Sequence, residues 1–262
     1  MDRLLAWLGR KLAKYLSKPR PRSTALATSP AEKLAGTLEP GDVLLIEGNT
    51  RVSVAIKYLT QSTWSHSALY IGDMGNVLGP TPPGEEPKVL IEADLRAGVR
   101  AVPLSQYAGL HTRICRPVGL AAEDLTKVIA FAVARLGEAY DLKNLVDLAR
   151  YLLPTPPVPS RWRRRMIALG SGDPTRAICS TLIAQAFGSV RYPILPEYMP
   201  HTSPLAGEKG RENAAAAQEE QFRIRHYSLY VPRDFDISPY FAIVKPNLLH
   251  GFDYRKLHWA EK

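Results

Sequence analysis

Cysteine is scarce in this chain: the 262 residues include only two, Cys115 and Cys179. A disulfide framework is therefore not what organises the fold, and a free thiol with a chemical task fits a reducing compartment. Long apolar runs are missing as well. None approaches the roughly 20 residues that a membrane-spanning helix needs. The opening stretch, MDRLLAWLGRKLAKYLSK, does not read as an export signal, because its apolar run Leu4-Leu5-Ala6-Trp7-Leu8 is short and basic residues follow it. The expected location is cytoplasmic, extending to a peripheral position on the inner face of the membrane. There is no phosphate-cradling glycine loop, since Gly170, Gly172 and Gly207 are isolated. The six histidines (His66, His111, His201, His226, His250, His258) are scattered without ligand spacing, so neither a metal nor another cofactor is expected.

What is present starts with charge. The formal net charge is +9, which admits nucleic acid, anionic lipid or acidic substrates as partners without selecting one. With no RNA- or DNA-binding signature, nucleic acid is not expected. Up to Arg22 the chain holds seven Lys/Arg against the single acid Asp2. Leu4, Leu5, Leu8, Leu12, Tyr15 and Leu16 recur at helical spacing among Arg10, Lys11, Lys14 and Lys18. Residues 1–22 thus form an expected basic amphipathic helix, with Leu4, Trp7, Leu8, Arg10, Lys11 and Lys14 as candidate membrane or partner contacts. Such a helix suits an anionic lipid interface; packing on its own domain or on a protein partner is the alternative. A linker follows over 23–37.

The folded domain is expected over 38–262. Val43–Ile46, the run from His66, Val89–Glu92, Gly98–Val102 and His111–Cys115 read as short strands, and Tyr240–Val244 as a last one. Few helices separate the early strands, which points to an antiparallel sheet in an α+β fold. Arg51–Leu59, Ala121–Leu136, Leu142–Leu153 and Cys179–Phe187 are the expected helices. Two inserts stand out. The stretch 154–176 is rich in Pro and Arg, with Trp162, Arg163 and Arg164 as candidate membrane or partner contacts; 201–221 is polar and rich in Ala and Glu.

Cys179 opens a helix whose apolar face carries Leu182, Ile183, Ala186 and Phe187. A helix N-terminus stabilises a thiolate, and its free N–H groups can hold a substrate oxyanion. A lone cysteine is, however, most often a small buried hydrophobe. His66 needs reach to that thiol and a third group to orient it. Glu92, after four residues of an apolar strand, is either that group or simply the first solvated position. Asp141 reads as a helix N-cap, and Tyr140 as core packing or a hydroxyl aimed into a site.

The stretches GDVLLIEG, AIKYLTQSTWSHSALYIGD, LIEAD, GVR, GEAYDLKNL, ICSTLIAQAF and PRDFDISPYFAIVKP together resemble the permuted papain-like cysteine hydrolases of the NlpC superfamily. The nearest branch is the YiiX/YaeF-like group, related to lecithin:retinol acyltransferase. The similarity runs in order from Leu38 to Pro246, with His66 before Cys179 as the permuted branch requires. The resemblance implies a circularly permuted papain-like (NlpC-type) α+β fold, with an antiparallel barrel-like sheet packed against helices that include the nucleophile helix. It also implies Cys179 as nucleophile, His66 as base, Glu92 as the group orienting His66, and Tyr140 as an active-site tyrosine near the oxyanion. Cys179 and Ser180 at the helix start, with Trp64 and Ser65 before the base, make up the expected oxyanion and substrate-binding set.

The expected activity is thus a thiol hydrolase or acyltransferase that cleaves an amide, ester or thioester. The expected substrate is an acyl-lipid or lipid-linked molecule at a membrane surface. Cleavage of peptidoglycan peptides is the alternative substrate class, and a non-catalytic binding module that keeps the fold is the alternative from another class.

Overall fold

A computed structural model describes residues 15, 17–18, 29–72, 79–94, 97–138, 178–199, 221–249, 253 and 255. Nearly all of the expected helix over 1–22, the whole of that over 142–153, and nearly all of both inserts lie outside the described residues. In chain order the elements are α1 (Ala31–Ala35), β1 (Val43–Ile46), α2 (Arg51–Thr60), β2 (His66–Tyr70), β3 (Lys88–Asp94) and β4 (Gly98–Pro103). A 3₁₀ turn (Leu104–Tyr107), β5 (Thr112–Pro117), α3 (Ala122–Val133) and α4 (Ile178–Ser189) follow. Then come β6 (Glu197–Met199), β7 (Gln221–Arg223), a second 3₁₀ turn (Tyr227–Leu229), α5 (Pro232–Asp236), β8 (Phe241–Val244) and α6 (Pro246–Leu249).

Six strands form one sheet in the order β4-β3-β2-β1-β5-β8, and every neighbouring pair is antiparallel. The apolar run of β1 sits centrally, with all four residues buried, as a strand covered on both faces should be. Alternation splits the core in two. On one face Val43, Leu45, Leu69, Ile91 and Cys115 pack against Val128, Ile129, Leu182, Ile183 and Phe187 of α3 and α4. On the other, Leu44, Ile46, Ala68, Leu90, Val102 and Ile114 pack against Leu34, Leu38 and Tyr107. Each fully buried Leu, Ile or Phe contributes about 1.5–3 kcal/mol, and these two layers hold the sheet rigid beneath the site.

Two local features set the site's geometry. The β3–β4 hairpin is tight: the Asp94 carboxylate accepts from Ala97 N–H at 2.8 Å, and Gly98 takes φ +72°, a left-handed conformation that suits glycine. The resulting register puts Glu92 directly opposite Arg100. At the other side of β2, Thr50 caps α2 by accepting from Ser53 N–H, and α2 ends at Gln61 in the left-handed conformation. The chain then turns back so that His66 pairs with Ile46.

The stretch expected as linker contains α1, and Leu34 is buried in the second core layer; one apolar residue on a short helix is too weak a signal against the surrounding Pro, Ser and Thr. The structure also adds the two-stranded ribbon β6–β7, whose arms flank the polar insert expected over 201–221. Tyr15 and Lys18, near the end of the basic N-terminal segment, touch the start of α2. The Arg51 guanidinium lies 4.0 Å from the Tyr15 ring centroid, and Arg51 N–H donates to the Lys18 carbonyl at 3.3 Å.

Candidate active site

His66 is the first residue of β2, Glu92 lies near the end of β3, and Cys179 stands in the first turn of α4. The chain brings all three together at one rim of the sheet. His66 Nε2 donates to Glu92 Oε2 at 2.5 Å. With Nε2 so committed, Nδ1 is the ring nitrogen left for the sulfur of Cys179, with which the imidazole is hydrogen-bonded. The ring keeps 23% side-chain exposure whereas Glu92 has 2%, so solvent and substrate meet the imidazole and not the carboxylate.

The electrostatics favour a thiolate beside an imidazolium. Burial by itself pushes the Cys179 thiol up, but the adjacent His66 charge and hydrogen bond, with hydrogen bonds from the Ser67 hydroxyl and backbone N–H, bring it below the ordinary thiol value. Burial pushes His66 down; the Cys179 sulfur and then Glu92 outweigh it and raise it to about 10. Glu92 is also driven up by burial, and His66 and Arg100 reverse this to hold it below the usual carboxylate range. Position in the first turn of α4 adds the favourable helix field. Cys115 shows the contrast: wholly buried in the sheet core, its thiol is pushed far above the normal range by burial and then by Asp236.

Several contributors were not singled out from sequence. Arg100 donates to Glu92 Oε1 from Nε at 2.8 Å and from Nη2 at 2.7 Å, and the Gln106 amide donates to the same oxygen at 3.1 Å. The Tyr107 hydroxyl donates to Glu92 Oε2 and lies 3.0 Å from His66 Nε2. Ser67, between His66 and Ala68, turns to the helix side of the sheet, where its hydroxyl lies 3.4 Å from that of Ser180. The sequence signals were faint: a serine on each side of His66, and an arginine two residues after a turn glycine.

The other expected site residues fall into three groups. Ser180 is fully buried, with its hydroxyl 4.0 Å from the Cys179 sulfur, and its side chain faces the sheet, where it meets the Ser67 hydroxyl. Trp64 and Ser65 are engaged elsewhere. The Trp64 indole N–H donates to Asp236 Oδ2 at 2.9 Å, under the Arg113 guanidinium, which lies 4.9 Å from the ring centroid. The Ser65 hydroxyl accepts from Gly48 N–H at 2.9 Å. Both side chains brace the approach to β2 and are not placed at the sulfur. Tyr140, Trp162, Arg163, Arg164, Leu4, Trp7, Leu8, Arg10, Lys11 and Lys14 lie outside the described residues; just before Tyr140, the Glu138 carbonyl accepts from Val99 N–H at 3.0 Å. Among the described residues no group of three or more His, Cys, Asp or Glu is placed to hold a metal ion.

A thiolate, an imidazolium and a buried carboxylate brought together can perform acyl transfer: attack on a carbonyl, protonation of the leaving group and hydrolysis of the acyl-thiol. Residues 37–151, which carry His66, Glu92 and Arg100 but not Cys179, match the family described as permuted papain-like amidase enzymes, YaeF/YiiX, C92. Among solved structures, the chain is similar to the metalloprotein yiiX from Escherichia coli O157:H7, at 18% identity and a TM-score of 0.43, over 80% of this chain and 97% of that one. Over residues 37–151 the chain is thus similar to the permuted papain-like amidases of the YaeF/YiiX group, and His66, Glu92 and Arg100 lie within that match.

Proposed function

We propose that Cys179 is the nucleophile and His66 the proton-transfer group, with Glu92 orienting it, and that the substrate is an acyl-lipid or lipid-linked molecule with an amide, ester or thioester bond. The observation that supports the machinery is the His66–Glu92 contact of 2.5 Å beside a thiol held below its ordinary range. The thiolate attacks the carbonyl carbon, and the oxyanion forms against N–H groups of the first turn of α4. The imidazolium gives its proton to the departing nitrogen, oxygen or sulfur. Water, deprotonated by the now neutral imidazole, then attacks the acyl-thiol and releases the acid with the thiolate restored; another acceptor in place of water makes the reaction an acyl transfer.

The substrate class rests on the cationic, amphipathic composition of residues 1–22 and the Trp162–Arg165 run, both suited to an anionic lipid surface. On this reading the enzyme works peripherally: no helix among the described residues is long and apolar enough to cross a membrane. The test is turnover by the full chain and by Cys179→Ala on two substrate sets, N-acyl and O-acyl lipids in anionic vesicles and soluble peptidoglycan peptides. Cys179-dependent release of fatty acid supports the proposal. Cys179-dependent cleavage of the peptides alone replaces the lipid reading with the endopeptidase one.

A further inference from the structure

We infer that Tyr107 and Arg100 form a clamp that positions Glu92, and through Glu92 selects the ring orientation and proton placement of His66. The inference rests on the cysteine-hydrolase reading and deepens it.

Glu92 is a buried carboxylate at the end of an apolar strand, and the cost of burying such a charge is large unless its oxygens are filled. They are filled from three directions. His66 comes from β2 at 2.5 Å. Arg100 comes from the facing position of β4 with two N–H groups at 2.8 and 2.7 Å. Tyr107 and Gln106 come from the 3₁₀ turn, the hydroxyl on Oε2 and the amide on Oε1. No other titratable or charged group is hydrogen-bonded to Glu92 among the described residues, and Cys179 reaches it only through the imidazole. One oxygen is thus locked by Arg100 and Gln106, so the other must present itself to His66.

Tyr107 then adds something that Arg100 cannot. Its ring is buried in the second core layer, so its hydroxyl position is fixed by packing. That hydroxyl spends its proton on Glu92 and leaves its lone pairs facing His66 Nε2 at 3.0 Å. Both neighbours of Nε2, the carboxylate and the phenol oxygen, are therefore acceptors. The neutral imidazole keeps its hydrogen on Nε2 and its lone pair on Nδ1, toward the sulfur. That is the tautomer a base for Cys179 requires.

The experiment uses the full chain, with Tyr107→Phe, Arg100→Gln and Arg100→Lys, and iodoacetamide as the probe. Alkylation of Cys179 is followed by mass spectrometry from pH 4 to 10, with thermal melts on the same samples. Losing a donor to Glu92 lets the carboxylate protonate at higher pH, so the acid limb of Cys179 alkylation is expected to move to higher pH in Tyr107→Phe and Arg100→Gln. Alkylation near neutral pH should fall roughly 10-fold or more. Arg100→Lys, which keeps the charge without the fork, should lie between wild type and Arg100→Gln. Folded variants with the wild-type profile, or a lowered melting temperature with that profile intact, would overturn the clamp. If Tyr107→Phe does not fold, the Arg100 pair decides, since that side chain is 39% exposed and its replacement leaves the core untouched. A wild type whose Cys179 reacts no faster than Cys115 is a separate result: it removes the hydrolase reading, and the clamp with it.

Discussion

His66 Nε2 and Glu92 Oε2 lie 2.5 Å apart although 26 positions separate them in the chain. The contact exists because β2 and β3 are adjacent antiparallel strands, with Leu69 opposite Ile91, and because both side chains lie on the sheet face opposite α4. His66 reaches Cys179 from that face because it is the first residue of its strand, at the rim and not under the helix.

Replacing Cys179 by Ala removes the nucleophile and little else. The residue is small and sits at the start of α4, so the melting temperature should stay within a few degrees of wild type, while turnover falls to background. Steady-state assays and a thermal melt on the same preparation check both halves.

Glu92→Gln tests the carboxylate without changing its size. The amide loses the charge facing Arg100 and the strong acceptor for His66, so kcat/KM should fall by about 10- to 100-fold with KM little changed. A stability loss of about 1–3 kcal/mol should accompany it, because the buried side chain at position 92 gives up its charge-assisted hydrogen bonds. Denaturant unfolding and initial-rate kinetics measure these separately.

Much of this arrangement was legible in the sequence, for particular reasons. Several short strands with few helices between them pointed to an antiparallel sheet, and the resemblance carried by the stretches around His66, Glu92 and Cys179 implied the permuted papain-like fold. Glu92 stood undecided between an inward and a solvated position, because an acid that follows four apolar residues has no local preference. Burial and its four donors resolve the direction it points. Tyr107, Gln106 and Arg100 were not legible: their convergence depends on the register of the β3–β4 hairpin and on a single 3₁₀ turn, and neither leaves a periodic trace. Trp64 and Ser65 were expected in the oxyanion and substrate-binding set. The Trp64 indole N–H donates to Asp236 and the Ser65 hydroxyl accepts from Gly48 N–H.

A second buried ion pair makes a stability prediction away from the site. Asp42 is fully buried, and Arg116 grips it from Nε at 2.9 Å and Nη2 at 2.8 Å, while Arg116 also donates to the Thr37 carbonyl at 2.7 Å. Burial raises the Asp42 carboxyl above its ordinary value despite Arg116. Arg116→Met leaves that carboxylate uncompensated and should cost about 3–5 kcal/mol. A group raised in the folded state favours folding more as it protonates, so the variant should recover part of its stability as pH falls toward the Asp42 range. Urea melts at pH 7 and pH 4.5 test the sign.

Removing residues 1–22 separates the lipid and peptide readings of the substrate. The truncated chain loses seven basic residues and one acid. Co-sedimentation with anionic vesicles should drop and lose its salt dependence, while activity on a soluble substrate is unchanged. Vesicle binding equal to that of the full chain would put the lipid contact elsewhere.

The thiolate–imidazolium pair itself is tested most directly by iodoacetamide alkylation of wild type and His66→Ala from pH 5 to 10, with Cys115 as the internal comparison. Cys179 should react well below the ordinary thiol range, because its folded value is lowered, and the pair should persist until pH approaches about 10, where His66 loses its proton. In His66→Ala that low-pH reactivity should vanish, leaving Cys179 to react only as its thiol ionises unaided. Cys179 labelling that rises only near the ordinary thiol value in wild type, and is unmoved by His66→Ala, would contradict the account.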